Sequence, residues 1–292
     1  RDPGLRTADS IRILKNPNVK WDEIKYNSGA VGAGSAMRTG CIGIFYPGKS
    51  NRKRLIALAT EASRVTHNSA TAILGSICTA LFTAYGIERV PLAHWPHKLM
   101  NLLKSDQVDS YIKESRPGDY ESFSQEKGFF IAQWQKYIDF RFAGLVFRTD
   151  IPIMENPVDR IEYLSNNYSH RYPVKGHGQT YITNPGSCAD DACIIAYDSL
   201  VEAEDNLEKL LVYSILHHGD SDTVGSIAFS WFGAYYFSKE NYDLAQSRFT
   251  QLEFYKNITD RNARALRTKF FKVYYHDLFI HFARAYIKKI PV

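Results

Sequence analysis

Residues 52–85, RKRLIALATEASRVTHNSATAILGSICTALFTAY, decide the fold class. Leu55, Leu58, Ala59 and Ala62 recur at three- and four-residue spacing, and Ile73, Ile77, Ala80, Leu81 and Ala84 do the same further on. That period places apolar side chains along one face of a helix. Between the two runs, Asn68 and Ser69 supply a capping signal, and Gly86 is expected to stop the second helix. The spacing predicts a helical hairpin, one arm over 52–66 and the other over 69–85.

Working outward, further helices are predicted at His94 to Leu103, Gln125 to Tyr137, Ala192 to Ala203, Asn206 to Leu216, Val224 to Phe237 and Tyr242 to Phe254. No repeated alternation of apolar and polar residues marks strands, and helices do not alternate with strands, so the expected class is all-α. From Phe140 to Pro185 the pattern dissolves into Pro, Gly, Asn and Tyr, as in a long irregular insertion. The main domain is expected over 1–265, with 266–292 as a basic, aromatic extension. There Phe270, Tyr274, Leu278 and Phe282 share one helical stripe, which either docks a protein partner or packs on its own core.

A chain of 292 residues with 45% hydrophobic and 23% charged side chains can bury a large core. The net charge of +5 is mild and not gathered into a stripe, so nothing points to nucleic acid. Cys41, Cys78, Cys188 and Cys193 lack the paired spacing of a zinc site and read as reduced core thiols of a cytoplasmic protein. No segment is expected to have the apolar length of a membrane helix, no signal peptide opens the chain, and no membrane partner is expected. The first residue is Arg1 rather than Met, so an upstream part is expected.

Three polar constellations stand out from this scaffold. His217-His218-Gly219-Asp220-Ser221-Asp222-Thr223 precedes an apolar helical run. Carboxylates at i and i+2 share a side where the backbone is extended, and oxygen ligands of this kind suit hard cations such as Mg²⁺. The plainer reading is a helix start, with Asp220 or Ser221 as the cap. Gly29-Ala30-Val31-Gly32-Ala33-Gly34-Ser35-Ala36-Met37-Arg38 lets the backbone approach a ligand and cradle phosphate oxygens, although it is neither a Walker loop nor a Rossmann fingerprint. Asn184-Pro185-Gly186-Ser187-Cys188-Ala189-Asp190-Asp191 enters another helix, where Asp190 or Asp191 can cap. His67, at the hairpin turn, either donates to a ligand or to a loop carbonyl.

In this order the pieces resemble the ADP-ribosylglycohydrolases, most nearly the ADP-ribosylarginine hydrolases. Gly32 to Arg38 is similar to that family's Gly-x-Gly-Ala-Ala-Met-Arg loop, Arg64 to His67 to its Thr-His turn, and Leu81 to Tyr85 to the helix that follows. Asp191 to Asp198 resembles the helix before its metal motif, and Gly219 to Thr223 matches Gly-Asp-Ser/Thr-Asp-Ser/Thr without substitution. The resemblance runs from about Trp21 to Phe237 and is weakest over 140–185.

That resemblance implies an all-α fold with two Mg²⁺ ions in a cleft that binds ADP-ribose and hydrolyses its bond to a modified protein, most nearly at arginine. It implies Asp220, Asp222 and Thr223 as metal ligands. Gly32, Gly34, Ser35, Met37 and Arg38 would form the loop over the phosphates and proximal ribose, with His67, Gly186, Ser187 and Asp191 lining the cleft. The family's acidic N-terminal motif and its Ser/Thr-Asp-Asp-Thr motif, which carry the other ligands and the acid–base carboxylate, are not found in this sequence. The expectation is therefore either an N-terminal part upstream of Arg1 or another chain that supplies it, or else a catalytically weak or inactive relative that binds ADP-ribose as a structural subunit of a larger assembly.

Overall fold

The helix that organises the molecule is the second arm of the hairpin. In the computed structural model, which describes residues 4–142, 157–168, 171–173, 180–215, 217 and 219–236, this arm spans Ala70–Ile87, and every residue of it except Ile87 is buried. Ser69 caps it by accepting a hydrogen bond from the Ala72 backbone. Gly86 does not end the helix as expected. Arg89, with φ 57°, makes the turn, while the N–H of Val90 returns to Tyr85 O and that of Arg89 to Gly86 O, which satisfies the last carbonyls. Gly86 is instead a contact point, since a Cβ there would stand 2.9 Å from that of Ala234.

The helices in chain order are α1 (Leu5–Leu14), α2 (Ala36–Phe45), α3 (Arg52–Arg64), α4 (Ala70–Ile87), α5 (Trp95–Lys104), α6 (Gln107–Ser115), α7 (Pro117–Phe142), α8 (Pro157–Tyr168), α9 (Ala189–Ala203), α10 (Leu207–Ile215) and α11 (Ser221–Tyr236). The all-α reading holds, with one addition. The stretch expected to be irregular contains α8 and a small antiparallel hairpin of β1 (Arg171–Pro173) and β2 (Thr180–Ile182). Helix α8 has a reason invisible in local periodicity: Arg160 on it reaches Asp198 of α9 at 2.7 Å and Ser199 at 2.9 Å. The described residues up to Tyr235 form one compact unit. The predicted helix at 242–254, the stripe at 266–292 and the boundary at 265 lie outside the described residues.

By length and composition α4 is long and apolar enough to cross a membrane, contrary to the expectation from sequence. Its all-round apolarity has a cause inside the fold, because neighbours cover it on every side. Against α2, Ser35 meets Ala72, Thr39 donates to Ser76 O at 2.9 Å, and a Cβ on Gly43 would lie 2.1 Å from Ala80 O. The partners differ by 37 residues each time, so α2 and α4 run parallel. Against α9, Gly75 touches Ala189 and Thr79 touches Cys193, again at a constant difference, which makes that pair parallel too. Against α11, the Trp231 Nε1–H donates to Thr79 O at 3.0 Å and Gly86 meets Ala234. Helices α2, α4 and α9 thus point one way, α11 crosses α4, and all four begin at the same end, since the start of α11 meets Pro185 and Met37.

At the middle of this bundle Phe82 is ringed by Tyr85, Trp95, Trp134, Tyr197 and Trp231 at centroid distances of 5.1–6.2 Å. Leu58, expected on the buried stripe of α3, is 40% exposed; Leu55, Ile56 and Ala59 form the inner face instead. Asp198 accepts from Tyr137 at 2.8 Å as well as from Arg160, and Glu202 accepts from Arg141 at 2.8 Å. This buried charge cluster ties α7, α8 and α9 together with its carboxylates matched.

The glycine contacts separate two outwardly identical substitutions. Gly43→Ala must push the α4 backbone away and should lower stability by roughly 3 kcal/mol, whereas Gly128→Ala, exposed within α7 with nothing nearby, should raise it by up to ~1 kcal/mol. Urea unfolding of both variants checks this, and equal effects would contradict the close approach of α2 and α4.

Candidate functional site

Because α2, α4, α9 and α11 begin together, so do the loops that lead into them. The 29–35 loop lies against the 185–189 loop as a short antiparallel bridge. The Ala33 N–H donates to Ser187 O at 3.0 Å, the Ala189 N–H donates to Val31 O at 2.9 Å, and Gly32 pairs with Cys188. Ser35 is buried, its Oγ donating to Ala72 O at 3.4 Å. His67 stands over the glycines, its ring 3.4 Å from where a Gly32 Cβ would be and 3.1 Å from where a Gly34 Cβ would be. Any side chain at Gly34 would press on that imidazole.

The acidic motif is joined to the same structure. The Asp220 N–H donates to Pro185 O at 2.8 Å, and a Cβ on Gly219 would be only 2.1 Å from that oxygen. Gly186 has φ +88°, a conformation that favours glycine, and a Cβ there would meet Val224 at 2.7 Å. Thr223 is buried and its hydroxyl donates to Met37 Sδ at 3.4 Å, linking the metal-type motif to the helix behind the glycine loop. Gly32, Gly34, Ser35, Met37, His67, Gly186, Ser187, Asp191, Asp220, Asp222 and Thr223 therefore sit on one set of touching loops and helix starts.

Asp220 shows why the motif can be read in two ways. It stands at the N-cap position of α11, where its backbone carbonyl accepts the Val224 N–H at 3.1 Å, and the nearby Thr223 favours its charged form. Burial, and then the adjacent Asp222 carboxyl, raise it to about 7. A cap residue with a like charge beside it is a carboxylate that a cation would relieve. The donors of Asp220, Asp222 and Thr223 are all oxygens, as a hard divalent ion requires.

Asp191 accepts the Cys188 N–H at 2.9 Å, so it caps α9 and holds the Gly186–Cys188 loop. Burial and then Asp190 push it well above the usual carboxylate range, while the N–H groups of Cys188, Gly186 and Ala192 oppose that. Cys188, Asp190 and Asp191 also bring three potential ligand atoms within 4.8 Å of one another, all buried. A thiol in that set suits softer metals than Mg²⁺, and Asp191 is engaged in capping.

Arg38 faces away from the loop. Its guanidinium donates twice to Ala62 O, at 2.6 and 3.2 Å, and to Thr66 Oγ1 at 2.6 Å. The sequence reading passed over Thr66 and Pro185 as individual residues. Their contributions, a hydroxyl bridge and a carbonyl acceptor, depend on loops distant in sequence.

An all-α scaffold whose helix starts gather a glycine loop, a histidine and clustered oxygen ligands defines a class of ligand-binding helical domains. Comparison with known proteins resolves that class: a family model of the ADP-ribosylglycohydrolases matches residues 1–240, and the chain belongs to that family. It is 50% identical over 284 residues to the L444 protein of Acanthamoeba polyphaga mimivirus, whose name provisionally makes it an ADP-ribosyl glycohydrolase. That match covers 95% of this chain and 53% of the relative. It is 32% identical over 253 residues to ADP-ribosylhydrolase ARH1 of Dictyostelium discoideum, covering 81% of this chain and 62% of that protein. The chain thus spans between about half and two thirds of the length of these relatives.

Burial, then the positive charges of Arg38 and Arg6, lower the His67 imidazole to about 4. The unfolded histidine titrates near 6.5, so between these values the unfolded chain binds the extra proton and stability falls as pH falls. The expected loss is roughly 2–3 kcal/mol between pH 7 and pH 4. Denaturant unfolding at several pH values should show that this portion of the loss disappears in His67→Gln; an unchanged slope would place His67 in solvent.

Proposed function

We propose that this chain binds ADP-ribose at the shared end of α2, α4, α9 and α11 and, with Mg²⁺, belongs to a hydrolase that releases it from modified protein side chains. The observation that carries the reading is the convergence of four helix N-termini on oxygen ligands. Each helix start has a partial positive charge of about half a unit, which favours a diphosphate. Small residues at Gly32 and Gly34 leave backbone amides approachable beneath it. Asp220, Asp222 and Thr223 would hold the Mg²⁺, two ions by the family resemblance, and when bound it would orient ribose oxygens and water.

Within this reading the protein residues bind and orient. His67 supplies a neutral ring beside the loop, Asp191 holds the Gly186–Ser187 turn, and Gly186 lets that turn approach Asp220. Arginine is the proposed acceptor because the motif order is nearest to the ADP-ribosylarginine hydrolases. The acid–base carboxylate is assigned to no residue of this chain. None of the four cysteines forms a disulfide, which supports placement in a reducing compartment such as the cytoplasm.

A second reading is favoured by one observation: Asp220 already has a role as a cap. A relative that binds ADP-ribose without hydrolysing it, as a subunit of a larger assembly, would keep that role. Incubation with a mono-ADP-ribosylated arginine protein separates the two. Hydrolysis requires free ADP-ribose to appear with Mg²⁺, to vanish with a chelator, and to fall ~100-fold or more in Asp220→Ala. ADP-ribose that binds calorimetrically without being released supports the second reading, and release by Asp220→Ala at the wild-type rate would sink the first.

A further inference from the structure

Arg38, Thr66 and His67 form a line of short contacts that the functional reading above does not use. Arg38 Nη2 lies 2.6 Å from Thr66 Oγ1, and Thr66 Oγ1 lies 2.7 Å from His67 Nδ1. A guanidinium can only donate, so Thr66 Oγ1 accepts from Arg38. The threonine hydroxyl carries one hydrogen, and among its contacts here the one acceptor within reach is His67 Nδ1. If Nδ1 carried the proton instead, Thr66 Oγ1 would receive two donors and its own hydrogen would have no acceptor in this line. Donor counting therefore makes Nδ1 the acceptor and leaves the single ring proton on Nε2.

The position of Nε2 gives this assignment a consequence. It is the ring nitrogen next to the glycine loop, 3.4 Å from the Cβ positions of both Gly32 and Gly34. With the proton there, the loop is overlooked by an N–H donor. With the other tautomer it would be overlooked by a lone pair, which repels an anionic oxygen. The two cations nearest the ring, Arg38 and Arg6, both keep it neutral, as burial does. Arg38 is anchored at its other contact by the Ala62 carbonyl at the end of α3, so the line starts from a fixed point.

We propose that Arg38 and Thr66 are positioning residues: through the Thr66 hydroxyl they hold His67 in the Nε2–H form, which donates to an anionic oxygen seated on the Gly32–Gly34 loop. The ligand class, a diphosphate such as that of ADP-ribose, rests on the reading under Proposed function. The tautomer does not rest on it.

Two-bond ¹H–¹⁵N spectra of the full chain with labelled histidine rings test the line directly, His67→Gln identifying the signals. The wild type should show His67 with Nε2 protonated and Nδ1 bare. Thr66→Val should shift it toward the other tautomer or a mixture, Arg38→Met should do the same, and Thr66→Ser should restore the wild-type pattern. Calorimetry with ADP-ribose should show a roughly tenfold or greater loss of affinity in Thr66→Val and near-normal affinity in Thr66→Ser. A wild-type ring protonated at Nδ1, or a Thr66→Val spectrum identical to the wild type, overturns the proposal. The predicted tautomer in a wild type that fails to bind ADP-ribose would support the positioning line and overturn the ADP-ribose reading. Equal affinity of Thr66→Val and wild type, with the tautomer changed, would overturn the donor role of Nε2.

Discussion

The close approach of helix backbones around α4 is the constraint on which the rest depends. At Gly43, Gly75 and Gly86 an added Cβ would come within 3 Å of a neighbouring helix. Glycine inside a helix costs roughly 1 kcal/mol relative to alanine, and the fold accepts that cost three times along one spine. In return α2 and α9 lie directly on α4 and parallel to it, and α11 crosses α4 where Gly86 meets Ala234. Parallel packing then dictates that the N-termini of α2, α4 and α9 share an end, and the candidate site exists because they do.

That end has an electrostatic problem and two answers to it. Four helix starts concentrate positive partial charge, which attracts carboxylates and phosphates alike. Asp191 and Asp220 answer locally by capping their own helices. An anionic ligand on the glycine loop would answer globally. Capping and ligand binding are then not rival explanations of the acidic residues. A carboxylate already held by the backbone of its own helix start is presented in a fixed place, which is what a ligand to a cation needs.

Much of this was legible in the sequence where local and tertiary preferences agree. The hairpin over 52–85 has both the right period and a Ser69 cap, and the motif at Gly219–Thr223 stands where α11 begins. The reading was poorer where packing overrides local preference. Helix α2 carries Gly40 and Gly43, poor helix formers, yet Ser230 of α11 covers the first and α4 the second. Gly86 looks like a stop signal but is a contact. Helix α8 depends on Arg160 reaching a carboxylate 38 residues away, and no local pattern announces that. For Arg38 the motif gave the residue but not its direction, since its acceptors are on α3.

The constant difference between paired residues on α2 and α4 has a consequence for how the chain can change in length. A residue inserted into either helix would rotate everything beyond it by about 100°, and glycines that permit contact would give way to side chains that forbid it. Deletions there would do the same. The turns that join α4 to α5, α5 to α6 and α6 to α7 are under no such rule, since a residue added in one of them leaves the pairing of Gly75 with Ala189 and that of Gly43 with Ala80 as they are. Length variation among members of the family is accordingly expected in those turns, while α2, α4 and α9 keep their residue count.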